Sequence, residues 1–386
     1  MAITRRDRTR RATRVLFTMA VCVACALAVS CHQQAPPASS PAPDAASPTA
    51  GRTLPEAEPP MPTGPITGWL RVEGNRIVLP NGKPFHGRGV NMHDTRSCDS
   101  CSWEPPHVEP VLRRIDAVVD DWHANFIRLL LESYPDKGSG HGRVHYRGVL
   151  EDEDYFSDVM RIIGHVGKKP GVYVLVSLWH EPSFGPRGLP SARTALVWKK
   201  LAGALKDMPF VLFGLVNEPE NNEDGKLDGE VWKAMNDTVA AIRSVERPER
   251  RHVITVQGTR AWGRVLDYYI DHPITAGGGV NIAYETHIYN RATSFDALVR
   301  KPAAKLPVIL GEVGPVDDAS ATMFPEDIEK LWDLAERLGI PWTAYTFHAK
   351  CPPNMLVDDD TWCGGTSSLV PTPWGRMVKA RLARPW

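Results

Sequence analysis

From residue 85 onward the chain alternates short, nearly unbroken apolar runs with longer amphipathic ones. Eight runs read as strands: "FHGRGVNMH", "ANFIRLLLES", "GVYVLVSLWH", "FVLFGLVNE", "HVITVQG", "VNIAYETHIY", "LPVILGEVG" and "PWTAYTFHA". They are rich in Val, Ile, Leu and aromatics and hardly alternate, the pattern of parallel strands covered on both faces. Between them "VEPVLRRIDAVVDDWHA", "YFSDVMRIIGHVGKK", "ARTALVWKKLAGALKDM", "GEVWKAMNDTVAAIRSVE" and "EDIEKLWDLAERLGI" repeat apolar residues at three and four, with charges opposite, as helices do. "WGRMVKARL" closes the set. Strand–helix alternation implies right-handed crossovers and a parallel sheet. Eight such repeats in about 300 residues predict an α/β fold of the (β/α)8 TIM-barrel type, with eight helices outside the strands. No G-x-G-x-x-G turn follows the first strand, which argues against an open dinucleotide-binding sheet. Ahead of the barrel, "GWLRVEGNRIVLPNGKP" reads as a short β-hairpin that turns at Asn81-Gly82 and plugs the barrel's bottom.

The first 64 residues are different. "RRDRTRRATR" is a positive stretch, and "VLFTMAVCVACALAVS" is an apolar run too short for a span, so residues 1–31 read as a secretion signal. It ends in "LAVSC", a lipobox-like site at which Cys31 is the lipidation candidate, although Ala28 stands where leucine is usual. Residues 32–64 are rich in Pro, Ala and Ser with hardly any large apolar residue, and are expected to form a disordered linker. Residues 65–386 then form one large domain. The chain is expected to be exported, held at a membrane only through a lipid on Cys31, or otherwise secreted.

Charge narrows the partners. The chain carries 45 basic and 45 acidic side chains; without the first thirty residues, which hold six arginines and one aspartate, 39 and 44 remain. No basic stripe is left for nucleic acid. Of seven cysteines, Cys98, Cys101, Cys351 and Cys363 fall in the barrel. An even number in an exported chain favours two disulfides with the connectivity open. Zinc on Cys98-x-x-Cys101 is the rival, but no compact Cys/His pattern completes it.

Barrel chemistry sits on the loops after the C-terminal strand ends. There the sequence offers His93 after the first strand, Arg128 in the second, and His180 with Glu181 after the third. Asn217 and Glu218 follow the fourth, His287 and Tyr289 lie at the sixth, and Glu312 at the seventh. Glu218 and Glu312 each close an apolar run in which an ionisable group is costly to bury. Across a barrel mouth two such carboxylates can stand about 5 Å apart, the spacing for double displacement at a sugar's anomeric carbon. The acid of such a pair needs a raised pKa and the nucleophile must stay ionised, which Arg128 and tyrosine donors favour. "HEPSF" lacks a second histidine for a zinc protease, and no G-x-S-x-G elbow is present.

With "GRGVNMH", "FIRLLLE", "LVNEP", "THIYN" and "ILGEVG" in this order, residues 68–380 resemble glycoside hydrolase family 5, the cellulase family of the retaining clan. The resemblance implies a retaining β-glycosidase of endo-β-1,4-glucanase type that takes a carbohydrate substrate, works as a monomer and needs no cofactor or metal. A β-mannanase, an exo-acting β-glucosidase and a non-catalytic carbohydrate-binding barrel are the alternatives. It implies Glu218 as acid/base, Asn217 on the sugar 2-hydroxyl, Glu312 as nucleophile and Arg128 as its support. His287 would contact the acid or substrate, Tyr289 would bond the nucleophile, and His180 and His93 would line or support the sugar subsite. Glu181 is then a bystander. The family usually carries a tryptophan at the eighth strand; here Phe347 and His348 stand where it is expected, with Trp342 several residues earlier. Trp262 is the foremost stacking candidate, ahead of Trp103, Trp179, Trp362 and Trp374. The four barrel cysteines would brace the loops after strands one and eight, within or between them.

Overall fold

Every one of the eight apolar runs contains a strand, and each strand is shorter than its run. The strands are β3 (Arg88–His93), β4 (Phe126–Leu131), β5 (Tyr173–Leu178), β6 (Val211–Gly214), β7 (Ile254–Gln257), β8 (Ile282–Ile288), β9 (Val308–Val313) and β12 (Trp342–Ala344). In this computed structural model, which describes residues 68–96, 107–131, 148–178, 188–219, 222–317, 321–358 and 368–385, they close into one parallel barrel in the order β12-β3-β4-β5-β6-β7-β8-β9. The shortening has a cause. In the run at β6, Leu215 and Val216 stay buried after leaving the ladder, because the chain is already turning toward the mouth with Asn217 and Glu218. A two-residue ribbon pair, β10 (Val316–Asp317) and β11 (Thr322–Met323), lies between β9 and the last barrel strand.

Six amphipathic segments become helices: α1 (Val108–Asp116), α2 (Glu153–Val166), α3 (Ala192–Leu205), α4 (Asp228–Arg243), α7 (Pro325–Leu338) and α8 (Pro373–Leu382). With two shorter ones they make the expected eight, one after each barrel strand. Between β7 and β8 only α5 (Asp267–Asp271) forms before Pro273 and Gly277 to Gly279 turn the chain, and between β8 and β9 a π-helical turn runs into the three-residue α6 (Lys301–Ala303). Glycines and a helix-start proline leave no room for longer helices there. Among the described residues no helix is long and apolar enough to cross a membrane.

The N-terminal hairpin is present, with β1 (Arg71–Glu73) paired to β2 (Arg76–Val78), but its turn is Gly74-Asn75 rather than Asn81-Gly82. Gly74, at a φ of 61°, supplies the left-handed residue a two-residue loop needs. Asn81-Gly82 makes the next reversal, where the Gly82 N–H donates to the Leu79 carbonyl at 2.9 Å. Leu70, Ile77 and Phe85 from this region pack on Phe126, Tyr173, Leu212 and Ile309 inside the barrel. The lower half of the lumen is therefore apolar and sealed from below, and Asn281 ties the seal down by accepting the Val72 N–H at 3.0 Å.

Candidate active site

Above that apolar layer the lumen turns polar, and it does so around one guanidinium. Arg128 points inward from β4 and is fully buried. Its Nη1 donates to Asn91 Oδ1 at 2.9 Å and to Glu312 Oε1 at 2.7 Å, and its Nη2 to Asn217 Oδ1 at 2.9 Å and Ser177 Oγ at 3.3 Å. Its Nε lies 2.8 Å from Glu285 Oε1, an ion pair set off the line of the N–H. A rigid fork of five donors thus ties β3, β5, β8, β9 and the end of β6 to β4.

Glu312 reaches this fork through an irregularity. Ile309 and Gly311 face the lumen, so strict alternation would turn Glu312 toward the helices. Instead the pairing of β8 with β9 shifts between Thr286 and His287, so that Leu310 and Glu312 are matched and Gly311 is skipped. Such a bulge re-aims the side chain beside it. The carboxylate then accepts Arg128 at one oxygen and the Tyr289 hydroxyl, at 2.8 Å, at the other. Burial, helped by the nearby Glu218 charge, outweighs His287, Arg128 and the Tyr289 hydroxyl and holds the Glu312 carboxyl above the usual carboxylate range.

Glu218 arrives differently. Its backbone is left-handed at a φ of 47°, directly before Pro219, where the chain prefers extended conformations. A strained non-glycine residue costs about 1–3 kcal/mol and persists where the surroundings over-determine it. Here the Gln257 side chain takes the Glu218 N–H at 2.6 Å, and His287 Nδ1 meets Glu218 Oε1 at 2.8 Å. One oxygen of Glu218, one of Glu312 and a ring nitrogen of His287 all lie within 4.8 Å of one another. The Glu218 side chain is 24% exposed and that of Glu312 6%, so Glu218 is the more open to solvent.

His287 sits between carboxylates. Burial works against its charge, but Glu312, Glu218 and Glu285 outweigh burial and the Arg128 charge and hold the imidazole up at about 9. Its Nδ1 faces Glu218 Oε1 at 2.8 Å, and its Nε2 lies 3.0 Å from both Glu285 Oε1 and the Gln257 amide nitrogen. Among the described residues Glu218, His287 and Glu312 are the one group spaced for a metal ion, and here they are engaged with one another and with Arg128.

Of the sequence candidates, the structure brings together Arg128, Asn217, Glu218, His287, Tyr289 and Glu312. His93 is fully buried and meets the Tyr345 hydroxyl at 3.2 Å, so it stands behind the site rather than in contact with a substrate. Phe347 is a correction: it is fully buried, edge-on to Trp122 at 4.8 Å, and is no sugar platform. Trp374 likewise packs against Trp332, and its Nε1 donates to the Tyr345 carbonyl at 2.8 Å. Trp262 is 43% exposed at the rim after β7. Ala261, Trp262 and Gly263 are successively left-handed, and the Arg260 Nε grips both Asp228 carboxylate oxygens at 3.0 and 2.9 Å, which holds the loop in shape. Cys351 is disulfide-bonded. Cys31, Cys98, Cys101, Cys363, Trp103, Trp179, Trp362, His180 and Glu181 lie outside the described residues.

Two residues at the centre escaped sequence reasoning. Glu285 lies two positions before His287 on β8 and shares its inward face. Its signal was a carboxylate in the middle of a buried apolar run, which demands a partner. Tyr345 directly follows β12; its hydroxyl meets His93 at 3.2 Å, and burial, then the Glu312 and Glu218 charges, push its phenol well above the ordinary range. Reading the eighth strand as far as Ala349 hid it.

Residues 78–350 match the family model described as Cellulase (glycosyl hydrolase family 5). The chain is 23% identical over 331 residues to endoglucanase CelA of Streptomyces lividans, and 22% identical over 321 residues to an endoglucanase of Clostridium saccharobutylicum. Each alignment covers 82% of this chain and 65% of the relative, so this chain spans less than two thirds of either. Among solved structures, cellulase Cel5C_n superposes with a TM-score of 0.67 at 20% identity, over 86% of this chain and 96% of that one. Endoglucanase Cel5A of Thermobifida fusca, solved with cellotetraose, superposes with a TM-score of 0.64 at 21% identity, over 82% and 98%. At such identities the likeness is one of fold.

Proposed function

The chain belongs to glycosyl hydrolase family 5, the cellulase family, and on that footing we propose that it is a retaining β-glycosidase that cleaves a β-linked glucan in the manner of an endo-β-1,4-glucanase. The observation that carries this reading is the closeness of Glu218 and Glu312, whose oxygens lie within 4.8 Å across the mouth. One oxygen of each carboxylate within that distance fits direct attack by one of them on the anomeric carbon. On geometry we assign Glu312, which has a donor on each oxygen, as the nucleophile. Glu218, the more open of the two and held by His287 at Oε1 alone, is assigned the acid/base role toward the departing glycosidic oxygen.

In the first step the Glu312 carboxylate attacks the anomeric carbon while Glu218 gives its proton to the departing glycosidic oxygen. The two carboxylates then carry a glycosyl ester and a negative charge, which the His287 imidazolium faces. In the second step Glu218 takes a proton from water, the water oxygen bonds to the anomeric carbon, and Glu312 leaves as carboxylate. Asn217 spends its oxygen on Arg128, which leaves its NH2 for the sugar 2-hydroxyl. Trp262 and Tyr345 are the aromatic faces for sugar rings. No cofactor enters these steps, since carboxylates and their fixed donors supply the charge stabilisation.

The choice of a glucan leans on the names of the two endoglucanase relatives. Around the barrel we place an export signal over residues 1–31, a disordered linker over 32–64, a lipid on Cys31, and disulfides bracing the loops after β3 and β12, with His180 at the sugar subsite and a monomeric enzyme. Glu312→Ala and Glu218→Ala test the core of the reading. The first should lower hydrolysis by roughly 10⁴-fold or more, with azide restoring turnover to an inverted glycosyl azide. The second should lower it by about 10²- to 10⁴-fold. Activity retained in both would end the assignment. A panel of cellulose, mixed-linkage glucan, xyloglucan and mannan reads the substrate, and preference for mannan would overturn the glucan.

A further inference from the structure

We propose that Glu285 is a further positioning residue for this reaction, a buried counter-ion that seats Arg128 and His287 and balances their charge beneath Glu218 and Glu312. The inference rests on the glycosidase reading above and deepens it. Four observations converge on it.

Glu285 is fully buried at the centre of the lumen, where a carboxylate without partners would be strongly unfavourable. It has partners for both oxygens. Oε1 meets Arg128 Nε at 2.8 Å and His287 Nε2 at 3.0 Å, and Oε2 accepts the Thr255 hydroxyl at 2.5 Å. The Gln257 amide donates to Oε1 at 3.3 Å while its own oxygen holds the Glu218 N–H, so one side chain links Glu285 to the strained backbone of the acid. The fold also makes room for this carboxylate. A Cβ on Gly311 would stand 2.2 Å from Glu285 Oε1, so the residue before the nucleophile has to be glycine for Glu285 to occupy its place.

The ions His287, Glu285, Arg128 and Glu312 then form a closed ring of alternating sign, Glu312 returning to His287 at 3.6 Å, and Glu218 is attached to it at His287. Charge counting shows what Glu285 does in it. Arg128 and His287 are two cations, and Glu285 and Glu312 are two anions, so the cluster is neutral when the remaining proton sits on Glu218. That is the form the first step starts from. Without Glu285 the same protonation state carries a net positive charge in a buried site, and the cluster sheds a proton to relieve it. The charged groups that face His287 are Glu218 from the loop after β6, Glu312 from β9, Arg128 from β4 and Glu285 from its own strand; β7 contributes the neutral Gln257 and Thr255. The phenols of Tyr289 and Tyr345 stand beside Glu312. Of the anions in this group, Glu285 is the one that takes no part in bond making or breaking.

Glu285→Gln removes the charge and keeps the shape. Imidazole NMR titration, with the His287 signal assigned by its loss in His287→Gln, needs no substrate. The wild-type His287 should remain protonated through pH 8, and in Glu285→Gln its titration should move down by about one unit or more. The alkaline limb of the kcat/KM profile on a soluble β-glucan should move down with it, and Glu285→Asp should return the limb toward its wild-type position at a reduced rate. A residue with only a structural role would lower thermal stability and rate while leaving the limb in place. The proposal is overturned if the limb and the His287 titration are both unmoved in Glu285→Gln, or if His287 is neutral at pH 7 in the wild type. Should Glu285→Gln not fold, the wild-type titration decides alone: protonated at pH 8 supports the proposal, neutral at pH 7 overturns it. If the wild-type protein cleaves no β-glycoside, it is the glycosidase reading that fails, and the titration shows this independently of it.

Discussion

Tyr289 donates a single hydrogen bond to the second oxygen of Glu312, and its removal isolates that bond. Tyr289→Phe should lose about 1.5–3 kcal/mol of support for the anion, or roughly 10- to 100-fold in kcat. Steady-state kinetics with unchanged thermal stability is the check, and an unchanged kcat would show that the bond carries no catalytic weight. His287 gives a pH prediction at the same scale. Its value of about 9 in the fold lies above the ordinary 6.5. A raised value means that its contribution to stability is complete below about pH 6.5 and is lost as pH rises through 9, up to about 3 kcal/mol in total. Melting temperature followed from pH 6 to 9.5 should therefore fall more steeply for wild type than for His287→Gln, and parallel curves would contradict the assignment. Glu285 has the opposite sign. Held down at about 2, it contributes stability above its ordinary 4.5 that is lost only as pH falls through 2. At this scale the sequence exposed the residues that close an apolar run with a polar group, such as Glu218 and Glu312. It concealed those whose role comes from burial, namely Glu285 inside a strand and Tyr345 just past one.

Among elements, β9 and the N-terminal hairpin depend on single residues. Gly311→Ala would drive a methyl into the Glu285 carboxylate, displacing it from Arg128 and His287. The expected result is a folded but destabilised protein, by about 1–3 kcal/mol, with activity lowered far more than stability; calorimetry alongside kinetics separates the two, and an unaffected rate would contradict the account. Asn281 is left-handed at a φ of 54° and bridges Val72 to the Arg251 carbonyl. Asn281→Ala should cost about 1–3 kcal/mol through lost bonds and strain and leave kcat intact at low temperature, because the hairpin seals the end of the barrel opposite the site. All eight strands were legible because buried parallel strands read as continuous apolar runs. The bulge at Gly311 was not, since one skipped residue leaves no mark in hydrophobicity although it decides where Glu312 points. The hairpin's turn was misplaced for a related reason: Gly74-Asn75 and Asn81-Gly82 are both good turn sequences, and only the pairing of Glu73 with Arg76 selects between them.

For the whole molecule, the barrel is expected to work without residues 1–64. A chain beginning at residue 65 should keep the wild-type kcat on a soluble substrate, and its intact mass compared with that of the mature full-length protein reads the state of Cys31; a mature form without acyl chains would remove the lipid anchor from the account. The division of the lumen into an apolar lower half and an ionic upper half explains how one barrel carries three carboxylates, a guanidinium and an imidazole side by side: the charges offset one another at one end while burial stabilises the other. The direct test of this arrangement is the anomeric configuration of the first product, followed by proton NMR during hydrolysis of an aryl β-cellobioside. Paired carboxylates this close predict that the β-anomer appears first and mutarotates afterwards; the α-anomer appearing first would contradict the double displacement on Glu312.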